Sequence, residues 1–186
     1  MSDPAFKAMS VEEYLRTEAK SPYKREYVGG FVYALHGQAG VSQEHSQIAF
    51  KFVLTLGQDA LRTGCRLHTA DMRLYIGERG AYYYPDLMLV CGSRPPDRYF
   101  ETEPCLLVEI LSKSTAANDR VGKYGMYTAI PSLQTYLLVE QDERRVYVHQ
   151  RSSQGWQMQE LIGEGDIHLP CLGRSLSLHE IYDGVL

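Results

Sequence analysis

The sequence predicts a single α/β domain, residues 1–186, with a restriction-endonuclease-like core: a mixed central sheet flanked by helices, with additional β-hairpins. Three observations lead to this fold class. Two apolar segments, 83–91 and 105–111, have the length and composition of buried strands. A periodic apolar pattern over 42–63 predicts a long helix with one buried face. Of the 186 residues 44% are apolar and 23% charged, which suits one globular core.

Capping residues and glycines delimit the elements of the first half of the chain. Ser10-Val-Glu-Glu13 is a capping box that predicts a helix ending at about Ala19. The segment REYVGGFVYALHG that follows is predicted to be a hairpin turning at its paired glycines. The long helix is expected to begin at Ser42 and to stop at Gly64. After it, the alternating pattern of 65–76 predicts one strand.

The second half of the chain alternates between strands and short connections. Prolines and charges over 92–103 predict a surface loop, and the apolar run at 105–111 predicts a strand buried on both faces. A polar helix is expected from about residue 116 to 128. Strands are predicted at 134–139 and 145–150 as a hairpin, with further strand material at 155–161 and 167–172. A short helix over 177–182 closes the chain.

Composition restricts the class of protein. No apolar run approaches the roughly 18 residues that a membrane helix needs, and the N-terminus MSDPAFKAMS lacks an apolar signal segment. We therefore expect a cytoplasmic protein without a membrane partner. The four cysteines have no CxxC spacing. Cys91 and Cys105 lie in or beside apolar runs, so buried thiols are expected rather than a disulfide framework or a zinc site.

The charge balance leaves two interpretations of the basic residues open. The formal net charge of −4 does not suggest non-specific coating of nucleic acid. A local basic rim around a DNA-cutting site is compatible with it, and scattered solvated charge is the alternative. The residues in question are Arg94, Arg98, Lys113, Arg120 and Lys123.

Each of the two apolar segments carries one carboxylate, and this is the main functional signal. Asp86 interrupts the first segment and Glu109 the second. A carboxylate in a buried strand requires a cation, a donor or water beside it. Mg²⁺ prefers oxygen ligands and is bound through one or two carboxylates. We expect Asp86 and Glu109, with the peptide oxygen of Ile110, to hold such an ion, with Mn²⁺ as a substitute. The residue pattern therefore predicts a metal-assisted hydrolytic site.

Four further residues could support this site, and each also has a structural explanation. Lys123 could orient the attacking water, or it could form a routine i, i+4 surface pair with Asp119. His45 in the first turn of the long helix could face a cleft, or it could be a packing or capping residue. Glu26 at the entrance of the hairpin could contribute, although a solvated position at the strand end is the simpler interpretation.

The same residues carry a resemblance to a known family. The segments YYPDLMLVC, PCLLVEILSKST, NDRVGKYGMY and IPSLQTYLLVEQDERRVYVHQ resemble the Uma-type family of PD-(D/E)xK endonuclease-like proteins, over about Val11 to Tyr182. The resemblance implies a mixed sheet flanked by helices and a Mg²⁺ site that includes Asp86 and Glu109. The lysine position of the parent motif is occupied by Leu111, and Lys123 of the following helix matches the family's replacement.

The resemblance also extends to supporting residues and implies a function. Asp119 matches the acid one turn before the lysine, His45 a histidine of the first long helix, and Glu26 an early acid. The implied activity is Mg²⁺-dependent hydrolysis of DNA. A catalytically inactive scaffold that binds nucleic acid or a protein, and a hydrolase of other phosphate esters, are the alternatives. Double-strand nucleases often act as symmetric dimers, and the 14 tyrosines are compatible with a homodimer.

Overall fold

The computed structural model describes residues 7–35, 41–112 and 122–186, which form two mixed six-stranded sheets, a two-stranded sheet and four α-helices. The helices are α1 (Val11–Glu18), α2 (Gln43–Thr63), α3 (Lys123–Tyr127) and α4 (Leu178–Tyr182). Strands of the first half are β1 (Lys7–Ala8), β2 (Arg25–Val28), β3 (Phe31–Ala34), β4 (Arg66–Thr69), β5 (Arg73–Ile76), β6 (Ala81–Tyr83) and β7 (Leu87–Val90). The remaining strands are β8 (Phe100–Glu101), β9 (Pro104–Leu111), β10 (Thr135–Glu140), β11 (Arg145–Ser152), β12 (Gly155–Ile162), β13 (Asp166–Leu169) and β14 (Arg174–Ser177).

The second sheet, in the order β12-β11-β10-β9-β7-β4, forms the centre of the core. Strands β9 and β10 run parallel, and the other pairs in this sheet are antiparallel. All eight residues of β9 are buried, which confirms the predicted burial on both faces. One face packs against α2 and α4, and the other packs against β5, β6 and α3. The predicted mixed α/β fold is therefore confirmed.

The long helix α2 follows its sequence signals closely. Its N-cap Ser42 accepts a hydrogen bond from the His45 N–H, and its C-cap Gly64 is left-handed with φ 73°. The apolar face lies against the second sheet, as the periodicity predicts. The buried residues of this face are Ile48, Phe52, Leu56 and Ala60. Ser10 likewise caps α1, and the glycine pair Gly29-Gly30 forms the predicted hairpin turn with positive φ at both residues.

Two segments that were predicted as single strands are each divided between the two large sheets. Residues 65–76 form β4 in the second sheet and β5 in the first, with a turn around Asp71 between them. The 83–91 segment is divided in the same way, because β6 ends at Tyr83 and β7 begins at Leu87. The alternation of polar and apolar residues continues through 65–76, and the 83–91 segment is apolar on both sides of Pro85-Asp86, so neither pattern could show where the strands change partners.

The expectation of four buried thiols is wrong for one pair of cysteines. Strands β4 and β7 pair with Arg66 opposite Val90, and the next step places Cys65 opposite Cys91. Their sulfur atoms form a disulfide across this pair, and Cys91 is exposed. Cys105 is a buried free thiol, as expected, and Cys171 is a partly buried one. Cross-strand register, which cysteine spacing does not encode, determines the pairing.

A buried ion cluster joins the two sheets beside this disulfide. Glu101 is 5% exposed and accepts hydrogen bonds from Arg66 Nε at 2.7 Å and Nη2 at 2.9 Å. His68 Nε2 lies 3.0 Å from the same carboxylate. Burial raises the pKa of Glu101, but the bonds from Arg66 and His68 outweigh burial and hold that pKa below its usual value.

The lowered pKa of Glu101 predicts a specific dependence of stability on pH. Because the folded pKa lies below the unfolded value of about 4.3, the contribution of Glu101 is complete above that pH and is lost as pH falls through the folded pKa. Glu101→Gln should therefore be less stable than wild type at neutral pH, and the difference should shrink below about pH 4.3. Urea unfolding at a series of pH values measures it. A difference that stays constant into acid would contradict the assignment.

Candidate functional site

The strand register places Asp86 and Glu109 side by side. Leu87 at the start of β7 pairs with Val108 of β9, so the next step along the antiparallel strands brings Asp86 opposite Glu109. Asp86 Oδ2 accepts a hydrogen bond from the Ile110 N–H at 2.7 Å. The acids that interrupt the two apolar segments are therefore neighbours at one end of the second sheet.

The backbone of Ile110 faces the same place. The N–H and C=O groups of one strand residue point toward the same edge of the strand. Because the Ile110 N–H points to Asp86, the Ile110 carbonyl oxygen faces the same edge of β9. This part of the edge lies beyond the end of β7, which begins at Leu87. The possible metal ligands here are therefore all oxygen atoms: the carboxylates of Asp86 and Glu109 and the carbonyl of Ile110. This donor set fits a hard divalent cation such as Mg²⁺.

Glu109 is more deeply buried than Asp86, and its charge is compensated. The residue is 3% exposed, and its Oε1 accepts from Lys123 Nζ at 3.0 Å and from the Tyr127 hydroxyl at 2.8 Å. Lys123, itself 5% exposed, also lies 3.5 Å from Glu26 Oε1. One buried ammonium group therefore faces two buried carboxylates, which is the compensation that burial of charge requires.

Glu26 lies inside the protein, so its expected solvated position at a strand end is wrong. It lies on β2, and the next residue of that strand, Tyr27, pairs with Tyr82 of β6. The N–H of Tyr84 donates to Glu26 Oε1 at 3.3 Å, and the Tyr84 hydroxyl donates to Glu18 at 2.9 Å. These bonds from α1 and β2 fix the short link that carries Asp86 between the two sheets.

His45 approaches the site from α2. Its Nε2 atom lies 3.4 Å from Asp86 Oδ2, on the side of the second sheet that the helix covers. The structure thus brings together Asp86, Glu109, Ile110, Lys123, His45 and Glu26. Asp119 lies outside the described residues, so its predicted pairing with Lys123 stays a prediction.

The described basic residues do not support the interpretation of a basic rim around the site. Lys123 is buried against the glutamates and takes no part in a solvated surface. Arg94 follows β7 in the chain, whereas Asp86 precedes that strand, so the two residues belong to opposite ends of it. Arg98 belongs to the same loop and lies over the ring of Tyr99. Lys113 and Arg120 lie outside the described residues.

Tyr127 is a member of the site to which the sequence assigned no role. It lies one turn after Lys123 on α3, is fully buried, and packs edge-on against the rings of Tyr83 and Tyr136. Burial, followed by the charge of Glu109, raises its pKa well above the usual value, so it stays a hydrogen-bond donor. The i, i+4 spacing from Lys123 was the available signal.

Removal of the Tyr127 hydroxyl should destabilise the protein measurably. Tyr127→Phe keeps the ring but deletes a buried bond to a carboxylate, so the free energy of unfolding should fall by about 1.5–3 kcal/mol. The matched control is Tyr99→Phe, because Tyr99 is 62% exposed. Denaturant unfolding of both variants measures the difference. Equal stability of the two variants would show that the hydroxyl does not support Glu109.

The mixed sheets flanked by helices form an α/β fold that a solved structure shares. A solved structure described as a putative nuclease belonging to DUF820, from Anabaena variabilis, superposes with a TM-score of 0.70 at 17% identity. The likeness covers 96% of this chain and 99% of that chain. At this identity the comparison shows a shared fold.

Sequence comparisons identify the family. The chain belongs to the Uma2 family, whose model is described as "Putative restriction endonuclease" and matches residues 11–179. The resemblance stated from the sequence is thereby confirmed. Two Synechocystis relatives, "Uncharacterized protein slr1290" and "Uncharacterized protein sll1609", are 35% and 33% identical. The first alignment covers 97% of this chain and 94% of the relative, and the second covers 85% and 90%. Among the helices of residues 7–35, 41–112 and 122–186, none has both the length and the apolar composition of a membrane span.

Proposed function

We propose that the protein is a Mg²⁺-dependent endonuclease that hydrolyses phosphodiester bonds in DNA. The observation that carries the proposal is the strand register that sets Asp86 opposite Glu109, with the Lys123 ammonium group 3.0 Å from the Glu109 carboxylate. Membership of a family described as "Putative restriction endonuclease" favours a nucleic-acid substrate over other phosphate esters.

Each residue of the cluster has a distinct part in this proposal. Asp86 and Glu109 would hold the cation through their carboxylates, and Ile110 would add its carbonyl oxygen, with Mn²⁺ able to replace Mg²⁺. When bound, such a cation polarises a phosphodiester and lowers the pKa of a bound water. Lys123 would orient the attacking water and offset negative charge that develops on the phosphate. His45, beside Asp86, would hold that carboxylate in position.

Cleavage assays on the full chain test the proposal. Supercoiled plasmid and duplex oligonucleotides are incubated with Mg²⁺, with Mn²⁺ and with a chelator, and calorimetry measures metal binding in parallel. We expect nicked or linear products only when a divalent cation is present. Metal binding without cleavage of any DNA would indicate that the substrate is another phosphate ester. The absence of metal binding would refute the assignment of the carboxylates as metal ligands.

One observation favours a second function, a nuclease scaffold that binds nucleic acid or a protein partner without cutting. Lys123 is buried and lies between Glu26 and Glu109, an arrangement that stabilises the fold irrespective of catalysis. Electrophoretic mobility shifts in the absence of metal distinguish the two functions. A scaffold would bind DNA equally well with or without the cation and would leave it intact.

A further inference from the structure

The four cysteines, which were expected to be buried thiols, converge on one place in the fold. Cys65 precedes β4, Cys91 follows β7, Cys105 lies near the start of β9, and Cys171 lies in a 3₁₀ turn over 170–172. These are all the cysteines of the chain. They come from four segments that are distant in sequence, so sulfur atoms meet here through tertiary packing.

The sulfur atoms lie within metal-site distances of one another. Cys91 Sγ and Cys105 Sγ are 3.6 Å apart, and the sulfurs of Cys91, Cys105 and Cys171 all lie within 4.8 Å of one another. Cys65 is joined to Cys91 by the disulfide. Four sulfurs at the usual Zn–S distance of about 2.3 Å around a tetrahedral ion are separated by about 3.8 Å. Opening the disulfide would let Cys65 and Cys91 move apart toward this separation.

We infer that these four cysteines form, in their reduced state, a tetrahedral thiolate site for Zn²⁺. Three of them lie in or directly beside the paired strands β4, β7 and β9, which hold the ligands in a fixed frame. Cys105 is buried, whereas Cys91 is exposed, so one side of the cluster is open for the ion to enter. In the oxidised state the Cys65–Cys91 bond removes two of the four ligands.

The site is separate from the acid cluster. Asp86 and Cys91 lie at opposite ends of β7, which at a rise of about 3.3 Å per residue separates them by about 16 Å. The two ligand sets also differ in chemistry, because thiolates select soft or borderline ions and carboxylates select hard ones. The zinc centre therefore does not depend on the proposed nuclease activity.

Reduction of the disulfide precedes binding of the ion. A dithiol reductant donates two electrons and two protons, the Cys65–Cys91 bond breaks to give two thiols, and the reductant becomes a disulfide. Zn²⁺ then replaces the protons of four thiols, and these protons pass to solvent.

Metal titration of the reduced full-length protein tests the inference. The protein is reduced with dithiothreitol, desalted under anaerobic conditions and titrated with Co²⁺ and then Zn²⁺. We expect one cysteine-bound ion per chain, identified by its sulfur-to-cobalt charge-transfer absorption, and displacement of this Co²⁺ by Zn²⁺. Alkylation should then modify none of the four thiols until a chelator is added. Modification of all four thiols in the presence of Zn²⁺ would overturn the inference.

Variants identify the ligands and separate this site from the acid cluster. Cys171→Ser should weaken Zn²⁺ binding by more than about 100-fold, because even outer-shell substitutions cost about 10–100-fold. Asp86→Asn, the matched control, should bind Zn²⁺ at the cysteines as tightly as wild type. Unchanged binding by Cys171→Ser, or loss of binding in Asp86→Asn, would overturn the inference. If Cys171→Ser fails to fold by circular dichroism, the alkylation result on wild type decides.

Discussion

Asp86→Asn is expected to reduce metal-dependent DNA cleavage by about 10³-fold or more while leaving the protein folded. A Lewis-acid cation contributes several kcal/mol to transition-state stabilisation, and each 1.36 kcal/mol, roughly, is a factor of ten in rate. The substitution removes the negative charge that would hold the cation. It keeps an amide oxygen that can still accept the Ile110 N–H, so the local backbone should not change.

The measurement compares the initial rate of plasmid nicking by wild type and variant at saturating Mg²⁺. Asp71→Asn is the matched control, because Asp71 lies in the turn between β4 and β5 with its side chain 86% exposed. The control should cleave as fast as wild type. Cleavage by Asp86→Asn within a factor of about ten of wild type, which is less than 1.4 kcal/mol, would show that this carboxylate is not a metal ligand.

The sequence was sufficient for the elements whose signals are local. Helix α2 illustrates this, because its N-cap, its periodic apolar face and its terminal glycine all lie within one segment. The strand β9 is similar, since an unbroken apolar run specifies burial without reference to partners. Proximity of Asp86 and Glu109 was also predictable in outline, because carboxylates in apolar segments require compensation and one cation could compensate both.

Features that depend on non-local pairing were not predictable. The strands before and after Asp71 belong to different sheets, and only the pairing of β4 with β7 and of β5 with β6 reveals the break. The burial of Glu26 depends on β2 lying against β6. The residue pattern of the hairpin alone does not predict this pairing. The cysteine cluster is missed for the same reason. Register, not spacing along the chain, brings Cys65 beside Cys91.

Lys123→Met should cause the largest loss of stability among the site variants. The ammonium group lies 3.0 Å from Glu109 and 3.5 Å from Glu26, and both acids are nearly inaccessible. Removing the cation leaves two like charges buried together, and breaking a buried pair costs about 3–5 kcal/mol. In a chain of this size that corresponds to a fall in Tm of roughly 6–20 °C. Thermal unfolding followed by circular dichroism measures it.

A control variant and a double variant are needed to interpret the stability of Lys123→Met. Lys20→Met, at an exposed lysine just after α1, should change stability by no more than about 0.5 kcal/mol. The double variant Lys123→Met/Glu26→Gln should recover part of the lost stability, because one of the two buried charges is then neutral. A loss below about 1 kcal/mol for Lys123→Met, where a buried pair should cost several, would contradict the ion cluster.

The double variant also separates the stabilising role of Lys123 from its proposed catalytic role. If Lys123 only neutralises buried charge, restoring stability through Glu26→Gln should restore DNA cleavage as well. If the ammonium group orients the attacking water, the double variant should stay slow by about 10²–10⁴-fold, the usual contribution of a positioned proton-transfer group. The proposed nuclease mechanism predicts the second outcome, and a stable, fully active double variant would remove Lys123 from that mechanism.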